Sequence, residues 1–281
     1  MDRIIIRYGE IGLKKQNRIY FEKLLASNIR DCLKKNSIVF DKINRFRGRV
    51  VVLTEQDCSI LSDVFGIVSF SPAIEVKADI EEFKKTALEL ALAKGLDESK
   101  TFRVSAKRLN KKFGMESLKI NEEVGGFIWE KTHGKVELVK PEIKIGIEII
   151  DDRAFVFSDS SYGHGGLPIG SEGRVIALLE NHNSILAALL MMKRGCIVQP
   201  AAFEDFNIDL LKKYAYGQSI ELKILKNISE LRSFAEMKKI DSVAVGQTLD
   251  DFKNLDCSLV VFRPLVGMNE EEIKKEFEKF K

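Results

Sequence analysis

The sequence predicts an α+β N-terminal half followed by an α/β domain with a doubly wound parallel sheet. Three observations predict it. Up to about residue 160, short β-branched strands alternate with amphipathic helices. The segment Tyr162-Gly-His-Gly-Gly-Leu-Pro-Ile-Gly170 then places four glycines and a proline in nine residues, the composition of a connection with special backbone geometry. Beyond it the strands become continuous apolar runs separated by helices, the pattern of parallel strands covered on both faces.

Ile4 to Arg7 opens the chain as a short strand. Asn17 to Lys35 is a helix, because Phe21, Leu24, Leu25, Ile29, Cys32 and Leu33 recur at helical spacing. Phe46 to Leu53 is a β-branched strand, and Asp79 to Lys94 a helix buried through Ile80, Phe83, Ala87, Leu90 and Ala91. Thr101 to Lys107 alternates strictly: Phe102, Val104 and Ala106 point one way, Arg103, Ser105 and Lys107 the other. Glu116 to Lys131 is a helix with Ile120, Val124, Phe127 and Ile128 on one face. Trp129 also falls at helical spacing and is read as core. Ile143, Ile145, Ile147 and Ile149 mark a strand that turns at Asp151-Asp152 into Ala154 to Phe157.

After the glycine segment, strands are expected at Arg174–Leu179, Cys196–Gln199, Ile220–Leu225, Ser242–Val245 and Ser258–Phe262. Helices are expected at Ser184–Arg194, Asp209–Tyr216, Ile228–Lys238 and Glu270–Lys281. The Leu190–Met192 stretch reads as core, Cys196 as an inert apolar residue, and His164 as a residue placed by backbone shape.

Composition bounds the function. A chain of 281 residues exceeds one typical domain, so two or three units are expected. With 45% hydrophobic and 31% charged residues it reads as soluble and globular. Apolar runs such as Val175 to Leu179 are too short to span a bilayer, and the first residues lack the apolar core of a secretory signal. The cysteines Cys32, Cys58, Cys196 and Cys257 form no close pair, against a structural zinc site and for a reducing compartment. The expected location is the cytoplasm, with no membrane partner and no metal.

The formal net charge of +3 says little, but its distribution says more. Residues 1–49 carry 13 Lys/Arg against 5 Asp/Glu, residues 50–100 carry 5 against 10, and residues 101–119 carry 6 against 1. The first basic block includes Arg7, Lys14, Lys15, Arg18 and Arg47. The second comprises Arg103, Lys107, Arg108, Lys111 and Lys112. Such blocks bind RNA phosphates with strong salt dependence. The competing readings are a solvated lysine-rich surface for the first and an edge strand guarded by charge for the second.

Several segments together resemble the tRNA 4-thiouridine synthetases (tRNA sulfurtransferases, ThiI-like). They are Arg7-Tyr-Gly-Glu-Ile-Gly-Leu-Lys14 with Asn17-Arg18 and Phe21-Glu22, and Phe102-Arg-Val-Ser-Ala-Lys-Arg108 leading to Ile120-Asn-Glu-Glu-Val-Gly-Gly126. Gly165-Gly-Leu-Pro-Ile-Gly170, Gly173-Arg-Val175 and Leu190-Met-Met-Lys-Arg-Gly195 come next, then Val245-Gly-Gln-Thr-Leu249 and Arg263-Pro-Leu-Val-Gly-Met268. The resemblance spans nearly the whole chain. It implies a ferredoxin-like module over residues 1–58, a THUMP RNA-binding domain over 59–165 and a PP-loop ATP-pyrophosphatase-like domain over 172–281. In that family the first two hold tRNA, and the third adenylates a uridine before sulfur transfer.

The departures from the family matter equally. Its PP-loop reads Ser-Gly-Gly-x-Asp-Ser, glycines that let backbone N–H groups cradle pyrophosphate. Here the same place holds Glu180, Asn181, His182, Asn183 and Ser184, without glycine and opening with an acid. At roughly 4 Å and an effective dielectric near 20, each unit of like charge costs about 4 kcal/mol before screening. The chain is also shorter between Gln199 and Val243, and a sulfur-handling cysteine is not matched near its end. The expectation is therefore a tRNA-binding protein of the thiolation lineage that does not adenylate tRNA, with no catalytic residue assigned and no cofactor. It would grip the acceptor region, with a homodimer and a partner thiolation enzyme as possible associates. Two alternatives stand beside it: an active sulfurtransferase with a divergent loop, using ATP-Mg, and a structural adaptor that binds no RNA.

Overall fold

The computed structural model describes residues 2–46 and 48–280. In chain order the elements are β1 (Arg3–Arg7), α1 (Arg18–Lys35), β2 (Ile43–Phe46), β3 (Arg49–Leu53), β4 (Ser69–Lys77), α2 (Ile80–Ala93), β5 (Thr101–Arg108), α3 (Ser117–Thr132), β6 (Lys135–Val136), β7 (Ile143–Ile150), β8 (Arg153–Phe157) and β9 (Ser161–Tyr162). They continue with β10 (Arg174–Leu179), α4 (His182–Lys193), β11 (Ile197–Ala202), α5 (Asp209–Lys213), β12 (Lys223–Ile224), α6 (Ile228–Lys238), β13 (Ser242–Ala244), β14 (Val260–Phe262) and α7 (Glu270–Glu278). They fall into two compact units.

The first unit comprises residues 1–8, 37–59 and 69–162. Its nine strands form one mixed sheet in the order β2-β3-β1-β4-β8-β7-β5-β6, with β9 added to β4. The run expected as one strand at Phe46–Leu53 is instead split by the turn of a hairpin, with Phe46 ending β2 and pairing with Arg49 at the start of β3. Gly48 takes φ +90° in the tight turn, where a side chain would be strained. β4 has no counterpart among the expected strands. Its sequence, Ser-Phe-Ser-Pro-Ala-Ile-Glu-Val-Lys, is serine-rich and contains Pro72, which reads against a strand. The strand tolerates it because Pro72 lies where β4 changes partners, after β9 and before β8. The alternation expected in β5 is realised. Phe102 and Val104 enter a core with Phe83, Val124 and Ile145, closed by α2 and α3. Trp129 is not part of it. Ile120, Val124 and Ile128 form the buried face of α3, and Trp129, one position further round, is 53% exposed.

The second unit comprises residues 9–36, 60–68 and 163–281. Its five strands are all parallel, in the order β12-β11-β10-β13-β14. Alternate residues of β10 enter two different cores. Val175, Ala177 and Leu179 pack with α4, α5 and α7, while Ile176 and Leu178 pack with α6. The sheet is therefore covered on both faces, as continuous apolar strands require. β10 is followed by strands added on one side and then by β13 on the other, so the chain reverses direction across the sheet between β10 and β13. The last turn of the expected helix at Asp209–Tyr216 is absent, and β12 is confined to two residues.

Within this unit His164 sits among Phe65, Tyr214 and Phe280, stacked on Phe280 at 4.8 Å. Burial, aided by Lys193 and Lys213, pushes its imidazole down to about 4. Gly166 takes φ +76°, and a Cβ there would lie 2.2 Å from the Lys193 carbonyl oxygen. Shape, as expected, governs this glycine segment.

Candidate functional site

In the first unit, alternation puts Arg7, Arg49, Arg103, Lys107 and Glu148 on one face of the sheet, opposite the helices. Glu148 organises part of that face. It is 5% exposed, and its carboxylate accepts hydrogen bonds from Arg7 Nε at 2.7 Å and from Arg49 Nε and Nη2 at 2.5 and 3.1 Å. Burial alone would raise this carboxyl; the Arg49 hydrogen bonds and the Arg7 and Arg49 charges outweigh it and hold it below the usual carboxylate range. Arg7 also donates to Ser71 Oγ at 3.0 Å and lies 4.5 Å over the Phe157 ring. Gly146 makes room for that ring, since a Cβ there would lie 2.2 Å from Phe157 Cζ. The charge of Arg7, expected to meet RNA, is thus committed to an internal carboxylate. The one sequence signal for Glu148 is a lone acid inside Ile145-Gly-Ile-Glu-Ile-Ile150, an otherwise apolar strand.

The second basic block lies at one side of the same sheet. β6 pairs only with Thr101 and Phe102, so the rest of β5 is an open edge on that side. There Ala106 N–H donates to the Asn121 side chain at 2.6 Å, and Arg103 Nη1 donates to the Leu138 carbonyl at 2.6 Å. Arg108 donates to the Phe113 carbonyl at 3.0 Å, and Lys112 pairs with Asp151 at 2.8 Å. Lys107 and Lys111 are exposed, and among the described residues neither has an ion-pair partner.

The first basic block is divided between the units. Lys14, Lys15 and Arg18 belong to the second, where Lys14 pairs with Glu172 at 2.9 Å and Arg18 with Glu22 at 3.4 Å. Lys15 is exposed in a positive-φ turn. Arg47 lies outside the described residues.

Residues 180–184 join β10 to the start of α4. A helix start presents orphan N–H groups that can hold an anion. Here the chain satisfies one of them, and two N–H groups just before the helix, by itself. Asn181 caps α4, its Oδ1 accepting from Ser184 N–H at 3.1 Å, and Ser184 Oγ accepts from the N–H groups of Glu180 and Asn181 at 3.2 and 3.4 Å. The backbone at Gly246 presses on the same turn: a Cβ there would lie 2.3 Å from Ser184 N. Glu180 is exposed at the mouth, and the His182 ring stacks on Phe277 at 4.2 Å and 18°.

Beside the loop, at the carboxyl ends of β10 and β13, lies a cleft of about 490 Å³. Its walls are His182 and Asn183, Thr248 with Asp250 and Asp251, and the α7 face formed by Glu270, Ile273, Lys274 and Phe277. The i, i+3, i+4, i+7 spacing of those four explains why one helix face supplies them. Of the residues that line the cleft, the motifs and loop singled out in the sequence contain His182, Asn183, Thr248 and Met268. The others lie far apart in the chain and become neighbours through the parallel sheet. Among the described residues, no group of three or more His, Cys, Asp or Glu side chains is placed to hold a metal ion, and no helix is long and apolar enough to cross a membrane.

Comparison with known proteins agrees with this architecture. Residues 3–71 match the ThiI ferredoxin-like domain and residues 77–159 match the THUMP domain. The N-terminal part of the chain is therefore a ferredoxin-like and THUMP assembly. A probable tRNA sulfurtransferase of Thermococcus kodakarensis is 36% identical over 96% of this chain and 85% of its own length. One from Methanocaldococcus jannaschii is 31% identical over 97% and 86%. The chain belongs to the tRNA sulfurtransferase family. Among solved structures, PH1313 from Pyrococcus horikoshii matches with a TM-score of 0.89 and 36% identity over 99% of both chains. A 4-thiouridine synthetase in complex with RNA and bound ATP matches with a TM-score of 0.80 and 25% identity, over 99% of this chain and 85% of that one. The Thermococcus alignment runs over 324 positions, at least 43 more than this chain has residues, so that relative carries segments without a counterpart here.

Proposed function

We propose that this protein binds tRNA through its ferredoxin-like and THUMP domains, and that its C-terminal parallel sheet is a PP-loop-like domain that does not adenylate the RNA. The tripartite division at residues 1–58, 59–165 and 172–281 is part of the proposal. One observation carries it: at the start of α4 the Ser184 N–H is capped by Asn181, the Glu180 and Asn181 N–H groups are taken by Ser184 Oγ, and Gly246 backs the turn, with the exposed Glu180 beside it. A phosphate arriving there meets three N–H groups already engaged and a like charge, whereas phosphate cradles depend on unpaired backbone N–H groups. On the RNA side, Lys107, Lys111, Lys112, Arg103 and Arg108 in the first unit, and Lys14, Lys15 and Arg18 in the second, are the candidates for phosphate contact. Arg7 and Arg49 act beneath that surface by shaping it. Shape and phosphate recognition suit an A-form acceptor stem, whose deep major groove side chains do not read.

Two measurements test the two halves. Electrophoretic shifts with bulk tRNA over a salt series should show affinity falling steeply with salt. Reversal of Arg103 and Lys107 to Glu should weaken it and leave the fold intact; unchanged affinity places the RNA surface elsewhere. Thermal unfolding with ATP-Mg should show no shift. A ligand at 100 times its Kd would stabilise the native state by about 2.7 kcal/mol, so clear stabilisation refutes the loss of ATP. The similarity to an ATP-bound 4-thiouridine synthetase favours the second reading, an active sulfurtransferase using ATP-Mg, and the same experiment decides between them.

A further inference from the structure

A groove of about 680 Å³ lies in the first unit between β5 and α3. Its floor is aliphatic: Val104 of β5, Leu118 of α3, Val136 of β6 and Leu138 just after it. Leu118, Val136 and Leu138 are each more than half exposed, so the unit leaves this apolar surface uncovered. Gly125 and Gly126 line the groove from within α3. Glycine weakens a helix interior relative to alanine, and internal packing does not demand it here. A Cβ on Gly126 would meet nothing within 4 Å, and one on Gly125 only Val104 Cγ2 at 4.0 Å. The two glycines keep the helix surface low, which admits a close approach from outside.

One side of the groove is strand edge. β6 occupies the edge of β5 only as far as Phe102, and the stretch from Val104 onward faces the groove. A guarded edge holds its charges over the unpaired backbone. Here Arg103 is drawn aside, with Nη1 on the Leu138 carbonyl, and its Nε is buried with no hydrogen-bond partner among the described residues. These features select between two kinds of polymer. A single-stranded nucleic acid needs rings to stack its bases and a run of cations to follow its phosphates. Phe102 is the lone ring of the lining and is fully buried, and the lining charges are one guanidinium and one carboxylate, Arg103 and Glu122. An extended polypeptide uses what is present: an open backbone edge, aliphatic seats for alternate side chains, and one cation for a carboxylate. We propose that this groove docks an extended, acidic segment of a partner protein, laid as a short strand along β5 beyond β6. Its alternate side chains are aliphatic and rest over Val104 and Gly125–Gly126, and a carboxylate meets Arg103. The open edge ends with β5 at Arg108, so the contact is far smaller than a permanent interface and is reversible.

A phage-displayed library of random peptides is the probe, selected on the full chain and counter-selected on Gly126→Leu. That variant fills open space with a better helix former, so its Tm should be unchanged or raised. If its Tm falls, Leu118→Lys, at an exposed position, takes its place. The expected yield is peptides with aliphatic residues at alternate positions beside an acidic one. In anisotropy titrations the best of them should bind the variant at least about tenfold more weakly than the parent, and N-methylation of an edge-facing amide should cost at least about tenfold. Parent and variant should bind bulk tRNA alike. Failure to enrich any peptide over the counter-selection overturns the proposal, and so do peptides that tolerate N-methylation at every position. A tenfold loss of tRNA affinity in the variant assigns the groove to RNA and overturns the protein partner, while the tRNA reading stands. A parent that binds no tRNA yet enriches such peptides removes the tRNA reading and keeps the docking groove.

Discussion

Replacing Glu148 by Gln removes the one carboxylate shared by two largely buried guanidinium groups. The side chains of Glu148, Arg49 and Arg7 are 6%, 9% and 14% exposed, so the screening that makes surface pairs nearly worthless does not apply. Three charge-assisted hydrogen bonds end on this carboxylate. A hydrogen bond to a charged group contributes about 1.5–3 kcal/mol, and the three are not additive. Removing one partner of a buried pair typically destabilises by about 3–5 kcal/mol, because the remaining charge is stranded. That is the loss expected for Glu148→Gln, against a total stability of roughly 5–15 kcal/mol. The sole tryptophan, Trp129, lies in the same compact unit and reports its unfolding without interference from the other. With a urea m-value of about 2 kcal/mol/M, the midpoint followed by Trp129 fluorescence should fall by roughly 2 M. Adding Arg49→Met to the variant should restore part of the loss by removing a stranded charge. The pH dependence has a definite sign. Glu148 has a lowered folded pKa, so its contribution is complete above about pH 4.5 and is lost as pH falls through the folded value. A shift of the midpoint worth less than about 0.5 kcal/mol would refute the stranded-charge account.

Three further outcomes are expected. His164 acts in the same direction at higher pH: its folded value near 4 lies below the ordinary 6.5, so protonation favours the unfolded chain between those two values. Stability should fall by about 1–2 kcal/mol from pH 7 to pH 5, and His164→Phe should flatten that dependence in urea titrations at the two pH values. Asn181→Ala should destabilise by about 1 kcal/mol and speed hydrogen exchange most at Ser184 N–H; slow exchange there would show that the cap is not what protects it. Gly146→Ala should displace the Phe157 ring from beneath Arg7 and destabilise by about 1–3 kcal/mol, with Phe157→Leu recovering much of it in thermal melts of the double variant.

Local pattern was enough for much of the molecule. Period-two alternation in β5 and β7, the helical spacing of α1 and α2, and the continuous apolar run of β10 each arise from side-chain direction within one element, which adjacent residues determine by themselves. So did the family resemblance, whose glycines and charges lie in short segments, and the glycine-free turn at residues 180–184. Other features depended on partners remote in sequence. β4 is a strand despite Pro72 because β1, β8 and β9 supply its hydrogen bonds. Trp129 is exposed because the core of α3 stops at Ile128. Arg7 and Arg103 read alike in the sequence as basic strand residues. Only the tertiary structure brings Glu148, 141 residues away, to Arg7 and turns that arginine inward. The same holds for the cleft, where His182 meets Phe277 across 95 residues of chain. Periodicity encodes which way a side chain points from its own backbone, but which charge or ring it meets is settled by the pairing order of the strands.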